Sequence, residues 1–142
     1  MGLEDDNNMF VWDLIIEGPP DSLYTGGYFK AKMRFPHDYP NMPPEMRFVS
    51  KMFHPNIYED GKVCISILHP PGKDAFNEQE REDEKWRPIL GVDAVILSVM
   101  SMLQSPNIDS PANIEASVMY RDNRANYECI VKRQAQDSLN DL

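Results

Sequence analysis

All seven glycines of the chain lie at or before Gly91, and none of its twelve prolines lies beyond Pro111. Glycine and proline punctuate strands and tight turns and are poor inside helices. The distribution predicts strands joined by turns over the first two thirds and helices over the last third. Residues 10–17 are rich in Val, Ile and Trp and stop at Gly18-Pro19-Pro20, which reads as a strand and its end. Residues 28–35 alternate. Phe29, Ala31, Met33 and Phe35 point one way and Tyr28, Lys30, Lys32 and Arg34 the other, so this strand has one face on a core and one in water. Residues 46–49 form a third, shorter strand. Turns rather than helices connect these runs, so the sheet is expected to be antiparallel and the fold α+β.

The period changes at residue 92. Val92, Val95, Ile96, Val99, Met100 and Leu103 recur at helical spacing over 92–103, and the methionines there read as core filling. Asn113 can cap a following helix, and Tyr127, Ile130, Val131 and Gln134 outline another before Leu139. A chain of 142 residues with 42% hydrophobic content fits one domain over 1–142. It has no apolar run long enough to cross a bilayer and no secretory signal, so a soluble intracellular protein is expected. Two cysteines, Cys64 and Cys129, suit a reducing compartment better than a disulfide framework. The net charge of −9 argues against nucleic acid as a partner, because phosphate binding needs concentrated Lys and Arg. It is compatible with a basic protein surface.

The chemistry gathers around His54-Pro55-Asn56, with Cys64 eight residues after the asparagine. Proline fixes its own φ and biases His54 towards extended geometry, so the turn is stiff. A stiff turn can hold an amide donor beside a sulfur, as acyl transfer through a thioester requires. Taken alone, a cysteine between Val63 and Ile65 is most often a buried filler. The turn, the spacing and the neighbouring sequence together favour chemistry.

Several motifs stand in one order along residues 12–139. They are Gly18-Pro19-Pro20, Tyr24-Thr25-Gly26-Gly27, the stretch 35–44 (FPHDYPNMPP), His54-Pro55-Asn56, Cys64 and Ser110-Pro111-Ala112-Asn113. In this order they resemble the ubiquitin-conjugating enzymes, which carry ubiquitin from an ATP-using activating enzyme to a substrate lysine. The resemblance implies the fold of that family, an antiparallel meander of about four strands followed by C-terminal helices. It also implies an amphipathic helix before the first strand, used to meet the activating enzyme and the ligases. Residues 1–8, five of them polar, are too few to supply it, so an N-terminally truncated domain is expected.

By the same resemblance Cys64 accepts and donates ubiquitin's C-terminal acyl group. Thiolate is a good leaving group, and a thioester is readily attacked by an amine. Asn56 would donate its amide to the tetrahedral oxyanion, while its alternative reading is a turn asparagine bonding its own loop. His54 is read as a backbone partner within the turn. His69 is read as a solvated loop residue, and no histidine obviously serves as base. Ser66 and Ser110 stand where many family members carry an aspartate near the incoming lysine, and Asp109 can partly substitute. Residues 70–86 form an acidic insertion, with six acidic residues (Asp74, Glu78, Glu80, Glu82, Asp83, Glu84) and three basic ones between 73 and 85. A long insertion here resembles the branch of cell-cycle and endoplasmic-reticulum-degradation enzymes associated with building ubiquitin chains. The competing reading is a solvated loop.

Asn41, Met42, Arg87, Pro88 and Ile89 occupy the ligase-facing positions of the family, with Met42 as an exposed anchor. A cis bond is expected at Tyr39–Pro40. The implied partners are ubiquitin, the activating enzyme, a RING-type ligase and substrate lysines, with no bound cofactor and no metal, since ATP is consumed upstream. The implied location is cytoplasmic or nuclear, including the cytosolic face of the endoplasmic reticulum through partners. A second class is a non-catalytic module of the same fold that holds ubiquitin or a ligase and cannot be charged. Cys64 favours the enzyme and the absent helix favours the module. A cysteine hydrolase finds no support, because no cysteine–histidine–acid arrangement is evident.

Overall fold

The computed structural model describes residues 2–3, 10–72 and 81–141. A four-stranded sheet runs in the order β1 (Gly2–Leu3), β2 (Phe10–Glu17), β3 (Tyr28–Phe35) and β4 (Glu45–Phe48), every neighbouring pair antiparallel. It is a meander, as expected for strands joined by turns. Three helices follow: α1 (Val92–Gln104), α2 (Ile114–Asp122) and α3 (Arg124–Asp137). The β1 pairing, Gly2↔Val11 and Leu3↔Phe10, involves too few residues to leave an alternating pattern in sequence.

The register explains the core. Met33 faces Trp12 on β2 and Met46 on β4, and Ala31 faces Leu14 and Phe48. Phe29, Ala31, Met33 and Phe35 are all buried, while Tyr28 and Arg34 are exposed, as the alternation predicts. The third strand sits at Glu45–Phe48, one residue earlier than expected over 46–49. Met46 and Phe48 carry its inward face, and Val49 lies past its end, exposed.

Val95, Val99, Met102 and Leu103 are the buried residues of α1, with Val92, Ile96 and Met100 packed at its margins. Asn113 caps α2 by accepting from Ala116 N at 3.0 Å. On α3, Tyr127, Val131 and Ala135 are buried, and Gln134 Oε1 accepts from Phe53 N at 2.7 Å, tying the last helix to the segment before the turn. Trp86 is fully buried, and its indole Nε1 donates to Pro40 O at 2.7 Å. The Tyr39–Pro40 bond is cis. Among the described residues no helix is long and apolar enough to cross a membrane.

Candidate functional site

The irregular segment between β4 and α1 carries the site, and His54-Pro55-Asn56 is its anchor. Ile57 N donates to His54 O at 3.1 Å and closes the turn. His54 is fully buried, with its ring Nδ1 accepting from Asn56 N and its Nε2 facing Met102 O, both at 2.9 Å. An acceptor at Nδ1 leaves the hydrogen on Nε2, so the neutral ring donates to the carbonyl. His54 is thus a backbone partner, as its sequence context indicated. Pro55 O accepts from Ala112 N at 2.8 Å and Asn113 N at 3.0 Å, which seats the start of α2 on the turn.

Burial lowers the His54 pKa to about 4, against a smaller opposing effect of its bond to Met102. The ordinary value is 6.5, so on acidification the unfolded chain takes up this proton first. Stability from this residue is fully present above about pH 6.5 and is lost as pH falls towards 4, by about 3 kcal/mol in all. His54→Gln should be less stable at pH 7 yet flatter between pH 6.5 and 4 than the parent. Urea midpoints across that range check it, and parallel profiles would remove the buried imidazole as the cause.

Asn56 is nearly fully buried. Its Nδ2 donates to Asn107 O and its Oδ1 accepts from Asn107 N, both at 2.8 Å. The side chain therefore bonds a distant loop rather than its own, and it still has a second amide hydrogen. Its backbone carbonyl accepts from Cys64 N at 2.9 Å, so the turn directly positions the cysteine. The approach to Cys64 needs Gly61, whose φ is +97° and where a Cβ would fall 2.1 Å from Phe48 O.

Cys64 is half-buried, and a 3-10 turn at Ser66–Leu68 folds the chain back beyond it. That reversal brings His69 Nε2 to 3.6 Å from Cys64 Sγ. The expectation of a solvated loop position for His69 is thereby corrected. The ring is half-buried, and its backbone is held by His69 N to Ser66 O at 2.9 Å and Trp86 N to His69 O at 3.1 Å. A spacing of five residues across an unrecognised 3-10 turn hides the pair from sequence reading. Tyr58 was also missed. Its phenol is held above the ordinary value, first by the charge of Cys64, then by partial burial and a hydrogen bond with that side chain.

Asn56, Cys64, Ser66, His69, Glu84, Asp109 and Ser110 line one cleft of about 410 Å³. The structure thus brings together the thiol, the turn amide and the three supporting positions Ser66, Asp109 and Ser110. Asp109 N donates to Asn107 Oδ1 at 3.0 Å, so the loop holding Asn56 also sets Asp109. Of the acidic insertion, Glu84 reaches the cleft, while Asp83 is exposed and pairs with Arg81 at 2.8 Å. Asp74, Glu78 and Glu80, and the side chain of Glu82, lie outside the described residues. The stem of the insertion is tied beside the site, since Lys85 is buried and its Nζ donates to Gly72 O at 2.6 Å.

Asn41 is exposed, whereas Met42 is half-buried rather than exposed and lines a second cleft that Cys64 also lines. Arg87, Pro88 and Ile89 are exposed, and the Trp86–Pro40 bond draws their segment against residues 36–44. Cys129 is free and exposed on α3. Among the described residues no group of three or more His, Cys, Asp and Glu side chains is arranged to hold a metal ion.

A buried turn holding a half-buried thiol beside an imidazole and several acceptors can support transfer of an acyl group to an amine. Comparison with known proteins points the same way. The sequence model of the family described as ubiquitin-conjugating enzyme matches residues 1–135. The chain is 53% identical over 132 residues to the ubiquitin-conjugating enzyme E2 14 of Arabidopsis thaliana, covering 93% of this chain and 78% of that protein. It is 48% identical over 140 residues to the probable ubiquitin-conjugating enzyme E2 7 of Caenorhabditis elegans, covering 95% and 85%. It is 51% identical over 137 residues to the ubiquitin-conjugating enzyme E2 7 of Arabidopsis thaliana, covering 96% and 82%. With a match over nearly its whole length and relatives at about half identity, the chain belongs to the ubiquitin-conjugating enzyme family.

Proposed function

We propose that Cys64 carries ubiquitin as a thioester and passes it to lysine, building ubiquitin chains with a RING-type ligase. The observation that carries this is the half-buried Cys64 thiol, bonded through its backbone to Asn56 and 3.6 Å from His69 Nε2. On loading, His69 takes the thiol proton as sulfur attacks the thioester that ubiquitin forms with the activating enzyme; that C–S bond breaks, and the activating enzyme's thiolate leaves and takes up the proton. On discharge, the free amide hydrogen of Asn56 meets the oxyanion, and Glu84, Asp109 and Ser110 receive the incoming lysine. The activating enzyme consumes the ATP, and this chain binds no cofactor or metal of its own.

The acidic insertion over 70–86 supports the finer reading, that of the chain-building branch, and the Lys85 Nζ to Gly72 O bond joins its two described ends. Asn41, Met42, Arg87, Pro88 and Ile89 form the ligase-facing surface in this reading. Two free cysteines fit a reducing compartment, so we assign the enzyme to the cytoplasm or nucleus, including the cytosolic face of the endoplasmic reticulum through partners.

The test is incubation with ubiquitin, activating enzyme and ATP followed by a non-reducing gel. A thiol-sensitive adduct of one ubiquitin is expected. Its absence from a folded protein would return the chain to the class of non-catalytic binding modules.

The insertion has its own expected result. Neutralising Glu78, Glu80, Glu82, Asp83 and Glu84 together should spare loading but impair chain formation, because the attraction of an incoming lysine is electrostatic. Salt should weaken the parent more than the variant, since the screening length falls from about 10 Å at 0.1 M to about 3 Å at 1 M. Discharge to free lysine and to a second ubiquitin is the measurement. A variant that matches the parent in both reactions at low salt leaves the segment as a spacer.

A further inference from the structure

Lys62 stands two residues before Cys64 on one extended stretch. That stretch is pinned by Tyr58 N to Lys62 O, Val63 N to Met46 O and Cys64 N to Asn56 O, all at 2.9 Å. Burial alternates along it: Lys62 is exposed, Val63 buried and Cys64 half-buried. With a side-chain period of two, Lys62 and Cys64 leave the chain by the same face. Both line the second cleft, of about 440 Å³, together with Tyr58 and His69. The acids flanking this edge are held by Arg47, whose Nη1 meets Asp60 Oδ2 at 2.7 Å and whose Nη2 meets Glu45 Oε1 at 3.1 Å. Among the described residues no close ion pair fixes the Lys62 ammonium, which feels the longer-range attraction of Asp60. A primary amine on a flexible four-carbon stem therefore shares a cleft with the thiol that carries the acyl group.

We propose that Lys62 is a self-modification site, the acceptor of the acyl group from Cys64 of the same molecule. This rests on the reading of Cys64 as the ubiquitin carrier. The unprotonated Lys62 Nζ attacks the thioester carbonyl, a C–N bond forms, and the C–Sγ bond breaks with its electron pair on sulfur. The proton lost by nitrogen ends on that sulfur, so the products are an isopeptide on Lys62 and a free Cys64 thiol. No oxidant, reductant or nucleotide is consumed. Two groups on one short stretch react as a unimolecular pair, which removes the entropic cost of bringing an acceptor in. The product keeps a whole ubiquitin tethered at the cleft mouth, so the reaction limits the lifetime of a charged enzyme that meets no other lysine.

The experiment loads the full chain with ubiquitin, stops the activating enzyme by removing ATP, and follows the thioester without added acceptor. The expected product is a reductant-resistant adduct of one ubiquitin, mapped by peptide mass spectrometry to Lys62. Its first-order rate should be independent of enzyme concentration. Lys62→Arg keeps the charge but not the nucleophile, and should slow the adduct by about tenfold or more with loading unchanged. Normal loading with the isopeptide on another lysine, or with a rate that grows with enzyme concentration, or with no response to Lys62→Arg, overturns the inference alone. Failure to form any thiol-sensitive adduct overturns the Cys64 reading and this inference together.

Discussion

Cys64→Ala is expected to abolish charging with ubiquitin, and Cys64→Ser to replace the thiol-sensitive adduct with one that survives reductant. Serine leaves an oxygen where Sγ stood, on the same backbone bonded to Asn56 O. An oxyester formed there is a poorer acyl donor to amines, because alkoxide leaves less readily than thiolate. Serine should therefore load slowly and then retain its ubiquitin. Cys129→Ser should charge like the parent. Cys129 lies exposed on α3, a regular helix, with no proline-locked turn behind it. Gels run with and without reductant, on variants whose melting curves match the parent, decide the matter. Loss of charging in a folded Cys129→Ser protein contradicts the assignment.

Asn56→Ala is expected to slow lysine attack by about 10²–10³-fold if the amide serves the oxyanion fully. The geometry adds a second effect. The substitution removes both bonds to Asn107, leaving a backbone N–H and C=O without these partners, at a cost of about 1–3 kcal/mol. It also loosens the loop that sets Asp109 and Ser110. Melting temperature should fall, and aminolysis should fall further than loading once rates are compared at a temperature where both proteins are folded. Asn56→Asp keeps the oxygen that accepts from Asn107 N but loses the donor, so it should resemble Ala in aminolysis. Equal slowing of loading and aminolysis would leave Asn56 with only its bonds to Asn107 to account for the defect.

The fold is legible in the sequence wherever a period survives. β2 falls on the run rich in Val, Ile and Trp that stops at Gly18-Pro19-Pro20, β3 on the residues that alternation marks, and α1 begins at the first residue of its apolar stripe. Met102 is buried between the residues of that stripe, and its carbonyl meets His54, a contact set by tertiary packing rather than helical spacing. β4 is displaced by one residue because a four-residue strand offers only two inward side chains to fix its frame.

The site is legible where local chemistry is strong. Asn56 and Cys64 emerge from the proline turn and its spacing, with His54 buried in that turn, and Ser66, Asp109 and Ser110, marked by the family resemblance, line the same cleft as Asn56 and Cys64. His69 does not emerge, because its approach to Sγ depends on a 3-10 turn with no periodic signature. Lys85 illustrates the other limit. A charge run reads as solvated, yet this lysine is buried with its ammonium on a backbone carbonyl. Asn107 is invisible as the partner of Asn56 because 51 residues separate them.

The central claim is that Cys64, and not Cys129, bears the acyl group, and the most direct test maps it on the unsubstituted chain. The protein is loaded with ubiquitin, treated briefly with an alkylating agent, reduced and digested, and the two cysteine peptides are quantified. The account predicts that loading protects Cys64 from alkylation in proportion to the fraction charged, while Cys129 reacts equally in loaded and unloaded protein. Protection of Cys129, or full alkylation of Cys64 in charged protein, would contradict it.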